Sequence, residues 1–133
     1  MDSDELILTI DQGTTNTKVI LIDSSGNSLA EASRPVGIDF PHPGWVEQDP
    51  LEVWQSVKDA VAECLAMVIP SKLAAIAISN QRESAVVWER DSGRPLGPLV
   101  SWQCRRSAPI CADLRQHGFE SAVRERSGLT IDP

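Results

Sequence analysis

An α/β fold, with helices flanking a mixed sheet, is what three features of the sequence predict. Two apolar runs near the start, "LILTI" (6–10) and "KVILID" (18–23), flank a polar turn, as paired strands do. An aspartate–proline step at Asp49–Pro50 opens a stretch whose apolar residues recur at helical spacing. A third apolar run, "KLAAIAIS" (72–79), follows that stretch. Being reached through a helix, it is expected to lie parallel to an earlier strand.

The first two runs are apolar on both faces, which predicts central strands covered on either side. "DSSGN" (23–27) is a turn in which Gly26 can take positive φ, and it leads into "SLAEASRPV" (28–36). Strands one to three should therefore form an antiparallel meander. "DFPHPGW" (39–45) reads as a proline-rich loop. Asp49 is a good N-cap, Pro50 suits the first helical position, and Glu52 completes a capping-box arrangement. The helix's apolar positions are Trp54, Val57, Val61, Cys64, Leu65 and Val68, and Pro70 marks its stop. "KLAAIAIS" is expected to be buried. "SAVVWER" (84–90) reads as a further strand, turned back by "DSGRPLG" (91–97) towards "LVSW" (99–102). From about Arg105 the chain reads as one or two helices broken near Gly118. Three hairpinned strands, a helix and a parallel strand are the order of the ribonuclease H-like, or actin-like ATPase, fold.

At 133 residues, with 41% hydrophobic and 23% charged, the chain has the size and make-up of one globular domain. The 12 basic and 19 acidic residues give a net charge of −7 and a pI near 4.7. That argues against a nucleic-acid surface, which needs a basic face. A phosphate ligand would need local positive character from backbone amides, a basic side chain or a metal. The acidic opening "MDSDE", with no long apolar run after it, predicts neither a signal peptide nor a membrane span, so the cytoplasm is the expected location. Cys64, Cys104 and Cys111 are odd in number and lack a C-x-x-C spacing. They are expected to be ordinary reduced thiols.

The polar turn between the first two strands holds more chemistry than a hairpin needs. It runs Asp11, Gln12, Gly13, Thr14, Thr15, Asn16, Thr17, Lys18. A glycine lets backbone amides approach a phosphate closely. The hydroxyls and the amide could bind its oxygens, Lys18 supplies charge, and Asp11 could hold Mg²⁺ through water. The same residue types serve an ordinary polar turn, and taken alone that reading is preferred.

A second group, "SNQRES", follows the buried strand, where ligands of open α/β sheets gather. Arg82 offers a donor fork and Glu83 a pure acceptor, a pair able to grip neighbouring hydroxyls of a polyol. A solvated ion pair is the plainer reading. In "SWQCRR", Trp102 offers a flat wall for the C–H side of a small polyol. Arg105 and Arg106 should open a helix and could serve phosphate, acidic neighbours or only solvent, the last being preferred for at least one of them. Trp45, Trp54 and Trp88 are expected to pack in the core or under loops.

"DQGTTNTKVILIDSSGNSLAEA", "PGWVEQDPLEVW", "ISNQRES" and "WQCRRSAPIC", in this order and spacing, resemble the amino-terminal part of the FGGY carbohydrate kinases. The resemblance runs from Leu6 to Pro133. It implies ATP-dependent phosphorylation of a small polyol, glycerol foremost, to the 3-phosphate. Another polyol or sugar substrate is the alternative within the family, and an actin-like or chaperone-like ATP switch is the alternative outside it. By resemblance, Asp11 lies near Mg²⁺-ATP, while Gly13, Thr14, Thr15, Asn16 and Lys18 form the phosphate loop. Asn16 stands where a serine is common, and Lys18 where an arginine is. Arg82 and Glu83 would bind the polyol hydroxyls against the Trp102 wall. The resemblance also implies that residues 1–133 are the first part of a two-domain enzyme, which could form a homo-oligomer. A tyrosine of the polyol site and the general-base aspartate would then lie beyond residue 133, and this chain alone is expected to be inactive.

Overall fold

The computed structural model describes residues 5–68 and 72–133. In the first strand, β1 (Glu5–Gln12), burial alternates, with Leu6, Leu8, Ile10 and Gln12 inward. β2 (Asn16–Ile22) pairs with it antiparallel and turns Thr17, Val19 and Leu21 to the same side. β3 (Ser28–Pro35) pairs antiparallel with β2 and adds Ala30 and Ala32. The expected meander is present, and Gly26 closes its second hairpin at φ 85°. Residues 39–45 are largely irregular, as expected of the proline-rich loop, with one bridge from Asp39 to Glu47. Beyond it lies a short strand that the sequence pattern does not announce, β4 (Glu47–Gln48).

Helix α1 (Pro50–Met67) starts where the aspartate–proline step places it. The Asp49 carboxylate accepts the Leu51 amide at 2.7 Å. Its inward face is Ser56, Ala60 and Cys64, small residues that let the helix settle on Ala30 and Ala32. Val57, Val61, Leu65 and Val68 pack around that contact as expected. Trp54 does not. It is 58% exposed, as is Trp88, and the two line one shallow surface groove instead of packing in a core. Pro70, expected to stop the helix, lies outside the described residues.

β5 (Lys72–Asn80) runs parallel to β1, giving the sheet order β3-β2-β1-β5. Its expected burial is overturned. Residues 73–80 are exposed, Ile76 at 59% and Ile78 at 71%. The reason is geometric: α1 lies over β2 and β3 and only grazes β1, so the edge strand is out of its reach. The same one-sided cover leaves Ile7, Thr9 and Ile20 half-buried, where cover on both faces is expected.

"SAVVWER" is not a continuous strand. Ala85 bridges Val100 and Trp88 bridges Pro95, so the returning arm carries extra residues that break the ladder, among them Pro98, which has no N–H to donate. Only β6 (Leu99–Val100) is regular there, and it pairs with β4. Helices α2 (Ala108–Gln116) and α3 (Glu120–Ser127) follow, separated at Gly118 with φ 76°. Cys64, Cys104 and Cys111 are buried and unpaired. Among the described residues no helix is long and apolar enough to cross a membrane.

Candidate functional site

The carboxyl ends of the parallel strands β1 and β5 lie side by side, Asp11 level with Ser79 and Gln12 with Asn80. The Gln81 amide extends the pairing by donating to the Gln12 carbonyl at 2.7 Å. Two loops therefore leave the sheet at one place, the β1–β2 turn and the segment after β5. This is where ligands bind in open α/β sheets.

The β1–β2 turn closes through the Gly13 amide and the Asn16 carbonyl, 2.9 Å apart. A Cβ on Gly13 would stand 3.0 Å from that carbonyl oxygen, so any larger residue would require the Asn16 carbonyl to give way by a few tenths of an ångström. Thr17 faces into the protein, its hydroxyl 2.7 Å from that of Ser56 on α1. Part of the polar surplus therefore anchors the helix.

Asp11, Gly13 and Thr14 form one wall of a cleft of about 350 Å³, and Arg82, Glu83 and Trp102 form the other. The Trp102 indole N–H spans the walls and donates to the Thr14 hydroxyl at 2.9 Å. Beyond Glu83 and Trp102 a larger hollow, about 940 Å³, is bordered by Arg105, Arg106 and Asp132. Six of the nine residues singled out in the sequence thus meet in one place. Thr15 and Asn16 sit exposed at the tip of the turn and do not line the cleft. Lys18 points elsewhere, its ammonium 2.8 Å from the Glu31 carboxylate.

Among the described residues neither Arg82 nor Glu83 has an ion-pair partner, and both are exposed. Glu83 stands at φ 67°, the one non-glycine residue there in the left-handed region. That conformation costs an L-residue about 1–2 kcal/mol. Replacing Glu83 by glycine relieves it, against about 0.5–1 kcal/mol of added unfolded-chain entropy. Urea unfolding of Glu83→Gly should accordingly show stability level with the parent or up to about 1 kcal/mol higher. Glu83→Val should fall by about 1 kcal/mol or more, since a branched Cβ tolerates positive φ least. Equal stabilities for the two variants would contradict this backbone.

Neither arginine of "SWQCRR" is left to solvent, and neither lies in a helix. Arg105 pairs with Asp132 at 3.2 Å. Arg106 pairs with Glu47 at 2.6 Å, donates to the Cys104 sulfur at 2.9 Å, and stacks 3.9 Å over Trp45. Burial pushes the Cys104 thiol up, but hydrogen bonds from the Arg106 guanidinium and from the Arg106 and Val46 backbones outweigh it and hold the thiol below its ordinary range. Arg106 is held above its own by Cys104 and Glu47. This clamp ties the Trp102 loop to the 44–47 segment.

Among the described residues no three His, Cys, Asp or Glu side chains cluster as a metal cage. The Asp11 side chain has no hydrogen-bond or ion-pair partner there, and its exposed carboxylate opens on the cleft. One hard oxygen ligand beside room for phosphate and water fits Mg²⁺, which keeps much of its hydration shell.

Sequence reasoning overlooks Gln81, which itself lines the cleft, and Gln12, Gln48 and Ser84, which lie outside its lining. An isolated glutamine carries no local signature. Only the adjacency of Gln81 and Ser84 to Arg82 and Glu83 could have drawn notice.

Residues 6–133 match the N-terminal domain of the FGGY family of carbohydrate kinases. A glycerol kinase of Citrifermentans bemidjiense is 47% identical over 131 residues, 97% of this chain and 26% of that protein. Among solved structures, a gluconate kinase from Lactobacillus acidophilus superposes with a TM-score of 0.89 at 27% identity, over 97% of this chain and 26% of that one. A Plasmodium falciparum glycerol kinase with ADP gives 0.86 at 26% identity, over 96% and 26%. The chain spans about a quarter of the length of these relatives.

Proposed function

Because the chain belongs to the FGGY family of carbohydrate kinases, we propose that it supplies the phosphate loop and part of the polyol site of an ATP-dependent kinase converting glycerol to glycerol 3-phosphate. On this reading residues 1–133 are the amino-terminal part of the first of two domains, working in the cytoplasm. The supporting observation is the cleft itself, which sets Asp11 and Thr14 opposite Arg82 and Glu83.

Phosphoryl transfer asks a protein mainly to position the reactants and to neutralise charge on the γ-phosphate. The Gly13 turn brings backbone close to the phosphates and the Thr14 hydroxyl binds their oxygens, whereas Thr15 and Asn16, at the exposed tip of the turn, would have to reach them from outside the cleft. Lys18 would have to leave Glu31 to take part. Asp11 would hold Mg²⁺, which would supply positive charge against that of the phosphates. Across the cleft, Arg82 donates to polyol oxygens, Glu83 accepts from polyol hydroxyls, and Trp102 covers the C–H face. A site built to hydrogen-bond hydroxyls rejects analogues that lack them by about 10⁴-fold, because its own polar groups are then left unpaired.

The test is a hybrid in which this chain replaces the segment it matches in the Citrifermentans bemidjiense protein. ATP-dependent phosphorylation is followed with glycerol and with larger polyols. Selective turnover of glycerol is expected, whereas the 133-residue chain alone should give none. Turnover confined to a larger polyol would keep the family and change the substrate. A folded hybrid that binds ATP but turns over no polyol would favour an ATP switch.

A further inference from the structure

Gln48 is 1% exposed and outside the cleft, yet two of its side-chain partners, Thr14 and Gln81, line it. Its Nε2 donates to the carbonyls of Thr14 at 2.9 Å and Gly37 at 3.0 Å. Two carbonyls on one side fix the amide's orientation, so Oε1 must face Gln81, whose Nε2 donates to it at 2.9 Å. The Gln81 oxygen accepts the Ser84 hydroxyl at 2.8 Å, and the Ser84 oxygen accepts the Trp102 backbone amide at 3.1 Å. The Trp102 indole returns to the Thr14 hydroxyl. Thr14, Gln48, Gln81, Ser84 and Trp102 thus form a closed ring. Arg82 and Glu83 are the two residues between Gln81 and Ser84, strapped at both ends by ring members.

We propose that Gln48 is a positioning residue for phosphoryl transfer: the ring it completes fixes the spacing between the phosphate loop, the Arg82–Glu83 pair and the Trp102 wall. The inference rests on the kinase reading above. Gln48 itself would touch neither substrate. Gln48 is the buried member of the ring, Thr14, Gln81 and Ser84 being half-buried and Trp102 exposed, and its amide is held by three partners. Any other arrangement would leave a polar group unpaired in a medium that penalises it. Transfer needs reacting atoms about 3–3.5 Å apart, and a misplacement near 1 Å can lower the rate about 100-fold. The ring also holds Glu83 in its left-handed conformation, through the Ser84–Gln81 bond across the turn.

Two variants test this, Gln48→Met and, at a less buried position, Ser84→Ala, with Ser84→Thr as the conservative control. In the hybrid enzyme the first two should lower kcat about 30- to 100-fold with KM for glycerol and for ATP within about 3-fold of the parent, because geometry rather than contact is lost. Ser84→Thr should recover most of the rate. In the 133-residue chain, NMR should show the Trp102 indole proton exchanging at least about 10-fold faster in both loss variants, with the Trp45 indole unchanged. An unaltered kcat in folded Ser84→Ala would overturn the proposal, as would a loss carried by KM for glycerol. Unchanged Trp102 exchange would overturn it too, even if the parent hybrid has no kinase activity, a result that by itself counts only against the kinase reading.

Discussion

Replacing Arg82 by alanine should lower kcat/KM for glycerol about 10³-fold in the hybrid enzyme, about 4 kcal/mol of transition-state stabilisation. The size follows from what is left behind. Polyol hydroxyls enclosed against Trp102 would lose a charged donor, and charge-assisted hydrogen bonds exceed neutral ones about twofold. Stability should not follow activity. Arg82 is exposed and has no ion-pair partner among the described residues, so its removal should change unfolding free energy by no more than about 0.5 kcal/mol. Arg82→Lys keeps the charge but loses the planar fork, and should recover only part of the rate. Glycerol turnover within threefold of the parent in Arg82→Ala would remove Arg82 from the polyol site.

What could be read in advance was local. The Asp49 cap, the Gly26 turn and the break at Gly118 each depend on a few neighbouring residues, and each stands where the sequence puts it. What could not be read depends on register and cover. Lys18 sits opposite Ser33 on β3, which makes Glu31 its diagonal neighbour on the same face. That capture of the charge is visible only once the hairpin register is known. "SAVVWER" has strand composition, but its partner arm is longer and interrupted by Pro98. The site divides the same way. The cleft residues were legible because a phosphate loop and a polyol grip each need several polar groups within a few positions. The ring that links them was not, because Gln48 reaches Thr14 and Gln81 across 34 and 33 residues of chain.

The uneven cover of the sheet gives the second large expected effect. Leu21 in β2 and Ile78 in β5 are similar in size and apolarity, and both are paired with residues of β1, Leu8 and Ile10. Leu21 is fully buried against α1, whereas Ile78 is 71% exposed. Leu21→Ala removes buried methyl groups and leaves a cavity that close packing around Ala60 and Cys64 cannot refill. Its cost should be about 3–4 kcal/mol. Ile78→Ala removes groups already in water and should cost no more than about 0.5 kcal/mol in the 133-residue chain. Urea unfolding of both variants checks the pair. Comparable losses would mean that β5 is covered in solution, by a second copy or by a rearranged α2 or α3, and the one-sided sheet would be wrong. If the contrast holds, the hybrid enzyme offers a further comparison. Should Ile78→Ala cost about 2 kcal/mol or more there, the added polypeptide covers β5, because burial is what turns the same apolar side chain from neutral to stabilising.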